Sequence, residues 1–170
     1  MGKDDASLRE ENLSFYSDDM EKINKLLANF LDLSKAKSVF LIDKSGNMLT
    51  HKGAYHSINP DELSALVAAS FAATKEIARL LGEAEFSVMF HQGKKDNIHI
   101  SLIGNRAISA ALFSDNTTAG MIGHYAKDLS QKLSAIFDII VKRSASKEDM
   151  KLGSDIGTSV EDKLDDIFKG

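Results

Sequence analysis

The run from Asn59 to Gly82, NPDELSALVAASFAATKEIARLLG, reads as one helix with a marked start and stop, and it constrains the rest of the chain more than any other stretch. Asn59 is suited to the N-cap, Pro60 to the first helical position, and Glu62 follows Asn59 at capping-box spacing. Gly82 is suited to the C-cap. The spacing i, i+3, i+4, i+7 predicts an apolar, core-facing side made of Leu63, Leu66, Val67, Ser70, Phe71, Thr74, Ile77 and Leu81. The opposite side carries Ala65, Ala69, Ala72 and Ala73, and only then Glu76. A solvated helix face is normally charged. The alanine strip is therefore either a set of good helix formers with no further role or a surface on which something packs.

On both sides of this helix the pattern shortens to strands. Residues 37–43 (KSVFLID) and 48–52 read as a hairpin around Lys44-Ser45-Gly46-Asn47. Residues 86–91, 98–103 and 106–113 read as an antiparallel meander joined by short turns. A first helix starts at Ser17 and buries Met20, Ile23, Leu26, Leu27, Phe30 and Leu31. A last helix, expected over 119–142, buries a stripe through Ile122, Tyr125, Leu129 and Leu133. The domain is thus expected over 17–143, after a disordered arm at 1–16. A polar, flexible linker at 144–157 and a short amphipathic segment at 158–170 are expected to follow. The order αββαβββα predicts an α+β fold, with one five-stranded antiparallel sheet carrying one helix on one face and two on the other. A single helix covers a five-stranded sheet poorly, so a second copy of the chain would complete that layer.

Composition removes several classes of function. The chain has 170 residues, formal charge −4 and no cysteine. Disulfides, thiolate metal sites and cysteine nucleophiles are excluded, and a cytoplasmic protein is expected. The acidic balance argues against a phosphate-binding footprint for nucleic acid. No apolar run is long enough to span a membrane, and the charged N-terminus is no secretory signal. There is no P-loop, G-x-G-x-x-G, G-x-S-x-G or H-E-x-x-H motif. His91 and His99 read as surface histidines across neighbouring strands, without the carboxylate a zinc site would want. No cofactor and no catalytic constellation is expected. None of Arg9, Arg79, Arg106 and Arg143 sits in a finger loop of the kind that completes a GTPase in trans.

The element order, the N-P-D-E-L opening of the second helix and the T-x-x-G opening of the last resemble the Roadblock/LC7 family. The resemblance covers about residues 20–141 and is carried by SVFLIDKSGNML (38–49), LLGEAEFSVMFHQGKKDNIHISLIG (80–104) and LFSDNTTAGMIGHYAKDL (112–129). The hairpin FHQGKKDNI (90–98) and the acidic tail SVEDKLDDIF (159–168) are most similar to the bacterial branch that partners a Ras-like polarity GTPase. The resemblance implies a profilin-like fold and a homodimer whose sheets join through their third strands, with the two second helices side by side as a platform for the GTPase. Carried onto this chain, the dimer edge is Phe86, Val88, Phe90 and His91. The platform is Ala65, Ala69, Ala72 and Ala73 with Lys75, Glu76 and Arg79. The tail contact is Val160, Leu164, Ile167 and Phe168. Lys75 and Glu76 depart from the small residues expected late in this helix. The implied role is a non-enzymatic activator of GTP hydrolysis acting in cell polarity or gliding motility, with a polar location. The alternative is a scaffold of the same fold that docks polarity or motor components without stimulating hydrolysis.

Overall fold

The computed structural model describes residues 17–55 and 57–168, with side chains described through Leu152; the arm expected over 1–16 lies outside them. In chain order the elements are α1 (Ser17–Ser34), β1 (Ser38–Asp43), β2 (Met48–Gly53), α2 (Pro60–Leu80), β3 (Val88–Gln92), β4 (Asn97–Ile103), β5 (Ala107–Phe113) and α3 (Ala119–Phe168). Ser17–Ile136 forms one compact unit, and the chain from Phe137 belongs to a second.

The five strands make one sheet in the order β2-β1-β5-β4-β3, every neighbouring pair antiparallel. β1 and β5 lie inside the sheet and are buried at every position, which explains why SVFLID and AISAALF are apolar almost without interruption. Alternation sorts their side chains. Phe40 faces Ala110 and Ile42 faces Ile108; Ile100 continues that row on β4 and Met89 on β3. These residues join Val67 and Phe71 of α2 in one apolar cluster.

Val39, Leu41, Ile103, Ala111 and Phe113 are buried on the other side of the pleat, as are Ile23, Leu27 and Phe30 of α1 and Ile122, Leu129 and Leu133 of α3. Two bonds tie those helices to the sheet: Thr50 Oγ1 donates to Asn24 Oδ1 at 2.7 Å, and Ser130 Oγ to the Leu102 carbonyl at 3.0 Å. One helix therefore covers one face and two cover the other, as the sequence predicts. Each large apolar side chain so buried contributes about 1.5–3 kcal/mol.

The last helix departs from expectation. It does not give way to a linker after Lys142 but continues to Phe168. Ser144 Oγ donates to the Ile140 carbonyl at 3.0 Å and Ser146 Oγ to the Lys142 carbonyl at 2.9 Å, so hydroxyls that read as helix breakers are bonded back along the helix. The lysines, Glu148, Met150 and Leu152 that follow are good helix formers.

Candidate functional site

Helix α2 is fixed at both ends by its own sequence. Asn59 Oδ1 accepts from the backbone N–H groups of Asp61 and Glu62, at 3.0 and 3.2 Å. Such a cap contributes about 1 kcal/mol. At the other end Glu83 N–H reaches the Ala78 carbonyl and Gly82 N–H the Arg79 carbonyl, the paired closure that a left-handed glycine permits. Ser64 Oγ and Thr74 Oγ1 bond back to the Pro60 and Phe71 carbonyls, which removes two polar groups from the competition for the sheet.

The face turned to the sheet is Ser64, Val67, Ala68, Phe71 and Ala78. This corrects the predicted core stripe: Leu66, Ile77 and Leu81 are exposed by 62%, 51% and 68%. The small residues Ser64, Ala68 and Ala78 let α2 lie close to the strands, so the helix is rotated away from the orientation that its bulky residues suggest. Ala65, Ala69, Ala72 and Ala73 are all exposed. The outer surface of α2 is thus broader and more apolar than an alanine strip. It combines those alanines with Leu66, Ile77 and Leu80, the last exposed by 75%. Leu66, Ala69, Ala73 and Leu80 lie on the three- and four-residue steps of a helix-pairing seam, whose intervening position is Glu76. Among the charged residues, Glu76 and Arg79 are exposed and pair with each other at 3.0 Å. Such a pair contributes only a few tenths of a kcal/mol.

The expected dimer edge falls on β3, which has a neighbour on one side only. Met89 points into the α2 core, whereas Val88 and Phe90 are exposed by 50% and 43%. Phe90 stacks on Phe113 with ring centroids 5.9 Å apart. His91 is exposed and faces Ile98. Phe86 precedes the strand by two residues. Val160, Leu164, Ile167 and Phe168 fall in the helical backbone of α3, and their side chains lie outside the described residues.

The histidines need a second correction. His99 pairs with Phe90, not with His91, and it is buried. Its Nδ1 is hydrogen-bonded to Ser101 Oγ at 3.2 Å, and its Nε2 lies beside Gly123 of α3. The signal that could have identified a buried histidine is the presence of two helices, α1 and α3, over the strand face that His99 shares with Ser101, Ala111 and Phe113. Among the described residues no cluster of metal-ligating side chains exists, and no helix is long and apolar enough to cross a membrane.

Burial lowers the pKa of His99 by penalising the imidazolium. The unfolded chain then binds a proton that the folded chain refuses, so stability is complete above the ordinary imidazole pKa of about 6.5 and falls as the pH drops below it. His99→Gln, which keeps a partner for Ser101, is expected to flatten this acid limb. Urea midpoints measured between about pH 5 and 8 check it; parallel slopes for the two proteins would refute the assignment.

A model of the Roadblock/LC7 domain matches residues 22–113. Among solved structures, Myxococcus xanthus MglB is 33% identical with a TM-score of 0.67, covering 69% of this chain and 95% of that one. The gliding protein MglB from Thermus thermophilus is 31% identical with a TM-score of 0.69, covering 74% and 96%. A third structure, described as MglB with tetrameric arrangement, is 30% identical with a TM-score of 0.70, covering 75% and 96%. No curated protein sequence matches the chain.

Proposed function

This chain belongs to the Roadblock/LC7 domain family, and from that premise we propose that it is a homodimeric regulator. It binds a small Ras-like GTPase of the MglA type and stimulates GTP hydrolysis in the control of cell polarity or motility. The observation that carries the reading is the outer face of α2, where Ala65, Ala69, Ala72 and Ala73 meet exposed leucines and an isoleucine. An apolar surface of that kind marks an interaction site. Similarity to MglB structures, covering 95% and 96% of those chains, supports the GTPase as partner.

The two copies join through β3, where Val88 and Phe90 offer an apolar edge; a self-associating relative supports this step. Light scattering is expected to give close to twice the chain mass of 18.6 kDa, and a concentration-independent monomer would refute it. The protein supplies no catalytic group of its own. Arg79, the arginine nearest the platform, is paired with Glu76. Stimulation therefore comes from tighter binding to the hydrolysis-competent arrangement of the GTPase's own switch residues, which raises its population.

The charged patch of Lys75, Glu76 and Arg79 at the end of the platform favours one second reading, a scaffold that holds the GTPase without accelerating it. GTP turnover by a Ras-like GTPase encoded beside this chain separates the two. A rate increase on adding the protein is expected; binding without any increase would leave the scaffold.

A further inference from the structure

Beside the platform, on the flank of α2 that faces the β1–β2 and β4–β5 turns, lies a cavity of about 160 Å³. Phe71, Leu102 and Ile108 line it, Ala72 forms part of its wall, and Lys44 and Lys75 stand at it. Phe71 and Ile108 are buried, whereas Lys44, Ala72 and Lys75 are exposed, so the apolar residues form the floor and the two lysines belong to the exposed rim. The volume is about that of an apolar group the size of benzene, and the cavity is open to solvent on one side. Glu85 also borders it, leaving two cations against one carboxylate.

Ion pairs among the described residues of this unit join Glu21 with Lys25, Lys37 with Asp96, Glu76 with Arg79 and Asp128 with Lys132. Lys44 and Lys75 take part in none among the described residues. Lys75 lies four residues after Phe71 and three after Ala72. It therefore belongs to the cavity flank rather than to the outward seam of Ala69 and Ala73.

We propose that this cavity is the anchor point of the platform. It receives one apolar side chain of the GTPase, presented by a segment whose neighbouring carboxylates meet Lys44 and Lys75. The proposal rests on the platform reading and adds to it the chemistry of the contact: apolar at the centre, acidic around it. It also gives Lys75 a role. The lysine that interrupts the small residues of α2 stands beside the platform and attracts the partner instead of obstructing it.

The test is binding of the co-encoded Ras-like GTPase, loaded with a non-hydrolysable GTP analogue, at several salt concentrations. Wild type, Lys44→Glu and Lys75→Glu are compared as full chains with their mass and melting midpoint verified. Each reversal is expected to weaken binding about tenfold and to flatten its salt dependence, because attraction at the rim becomes repulsion. Lys44 sits in a turn off the helix, so its reversal leaves the seam intact. If the wild type binds and both reversals bind equally well with the same salt slope, the anchor is refuted and the platform stands. If the wild type does not bind, the platform reading fails and the anchor with it.

A final arm addresses the chain's own tail, which is also acidic and apolar. In full chains carrying Glu161→Gln, Asp162→Asn, Asp165→Asn and Asp166→Asn, the Lys44→Glu effect is expected to persist. Its disappearance would assign the cavity to the tail and overturn the proposal.

Discussion

Ala72→Arg is expected to lower affinity for a GTP-loaded Ras-like GTPase by about a hundredfold or more while the chain stays folded. Ala72 is exposed, and an arginine on an exposed helix position costs at most a few tenths of a kcal/mol in propensity. In the complex the balance reverses. Alanine lets another surface approach the helix backbone, whereas the arginine stem holds the two apart. Separating the surfaces at a central contact costs about 3 kcal/mol or more, and each 1.4 kcal/mol is about tenfold in affinity. Calorimetric titration, paired with thermal melts, checks both halves. Undiminished affinity would remove α2 from the interface; a melting midpoint lowered by much more than about 2 °C would mean the loss came from folding.

Gly53→Ala is expected to be strongly damaging, costing roughly 4 kcal/mol or more. Gly53 ends β2 with φ near +96° and lies opposite Ser38. A Cβ there would stand 2.2 Å from the Lys37 carbonyl oxygen and 2.7 Å from Ser38 Cα. Both obstacles are backbone, and Lys37 is itself held to β5 through its N–H bond to the Leu112 carbonyl, so neither can step aside cheaply.

Gly82→Ala is the matched control. It has φ +78° with nothing within 4 Å of the added methyl, so it bears the conformational cost alone, on the order of 1 kcal/mol. Urea unfolding of the two variants separates strain from collision: a large loss for Gly53→Ala and a small one for Gly82→Ala. Equal losses would mean that the strands yield and the close approach is not structural. Because Gly53 starts the loop that delivers Asn59, a shift there would also move α2.

Much of this architecture was legible in the residues themselves. The caps of α2, the β1–β2 hairpin, the meander and the exposure of the four alanines all follow from local rules. What local rules could not supply was the rotation of α2. A helix apolar on nearly every side has no unique inward face, and bulk is a poor guide when the sheet is approached through Ser64, Ala68 and Ala78. Leu66, Ile77 and Leu81 were read inward because hydrophobicity alone votes that way.

His99 was misread for a related reason: alternation on a strand marks a polar residue as outward only when that face is wet, and here α3 covers it. At the C-terminal end, the serines and glycines after Arg143 carry loop propensity one by one. The backbone bonds of a helix already under way outweigh it.

The two margins of the sheet are unlike. β3 presents Val88 and Phe90, whereas β2 carries Lys52 and, further along, a register irregularity at the Leu41/Ile42 step. Lysine and irregular pairing both discourage addition of a further strand. Joining two copies through β3 consumes the one adhesive margin of each and leaves β2 at both ends of the doubled sheet. Association by this route is self-terminating: raising the concentration fills pairs and does not lengthen fibres.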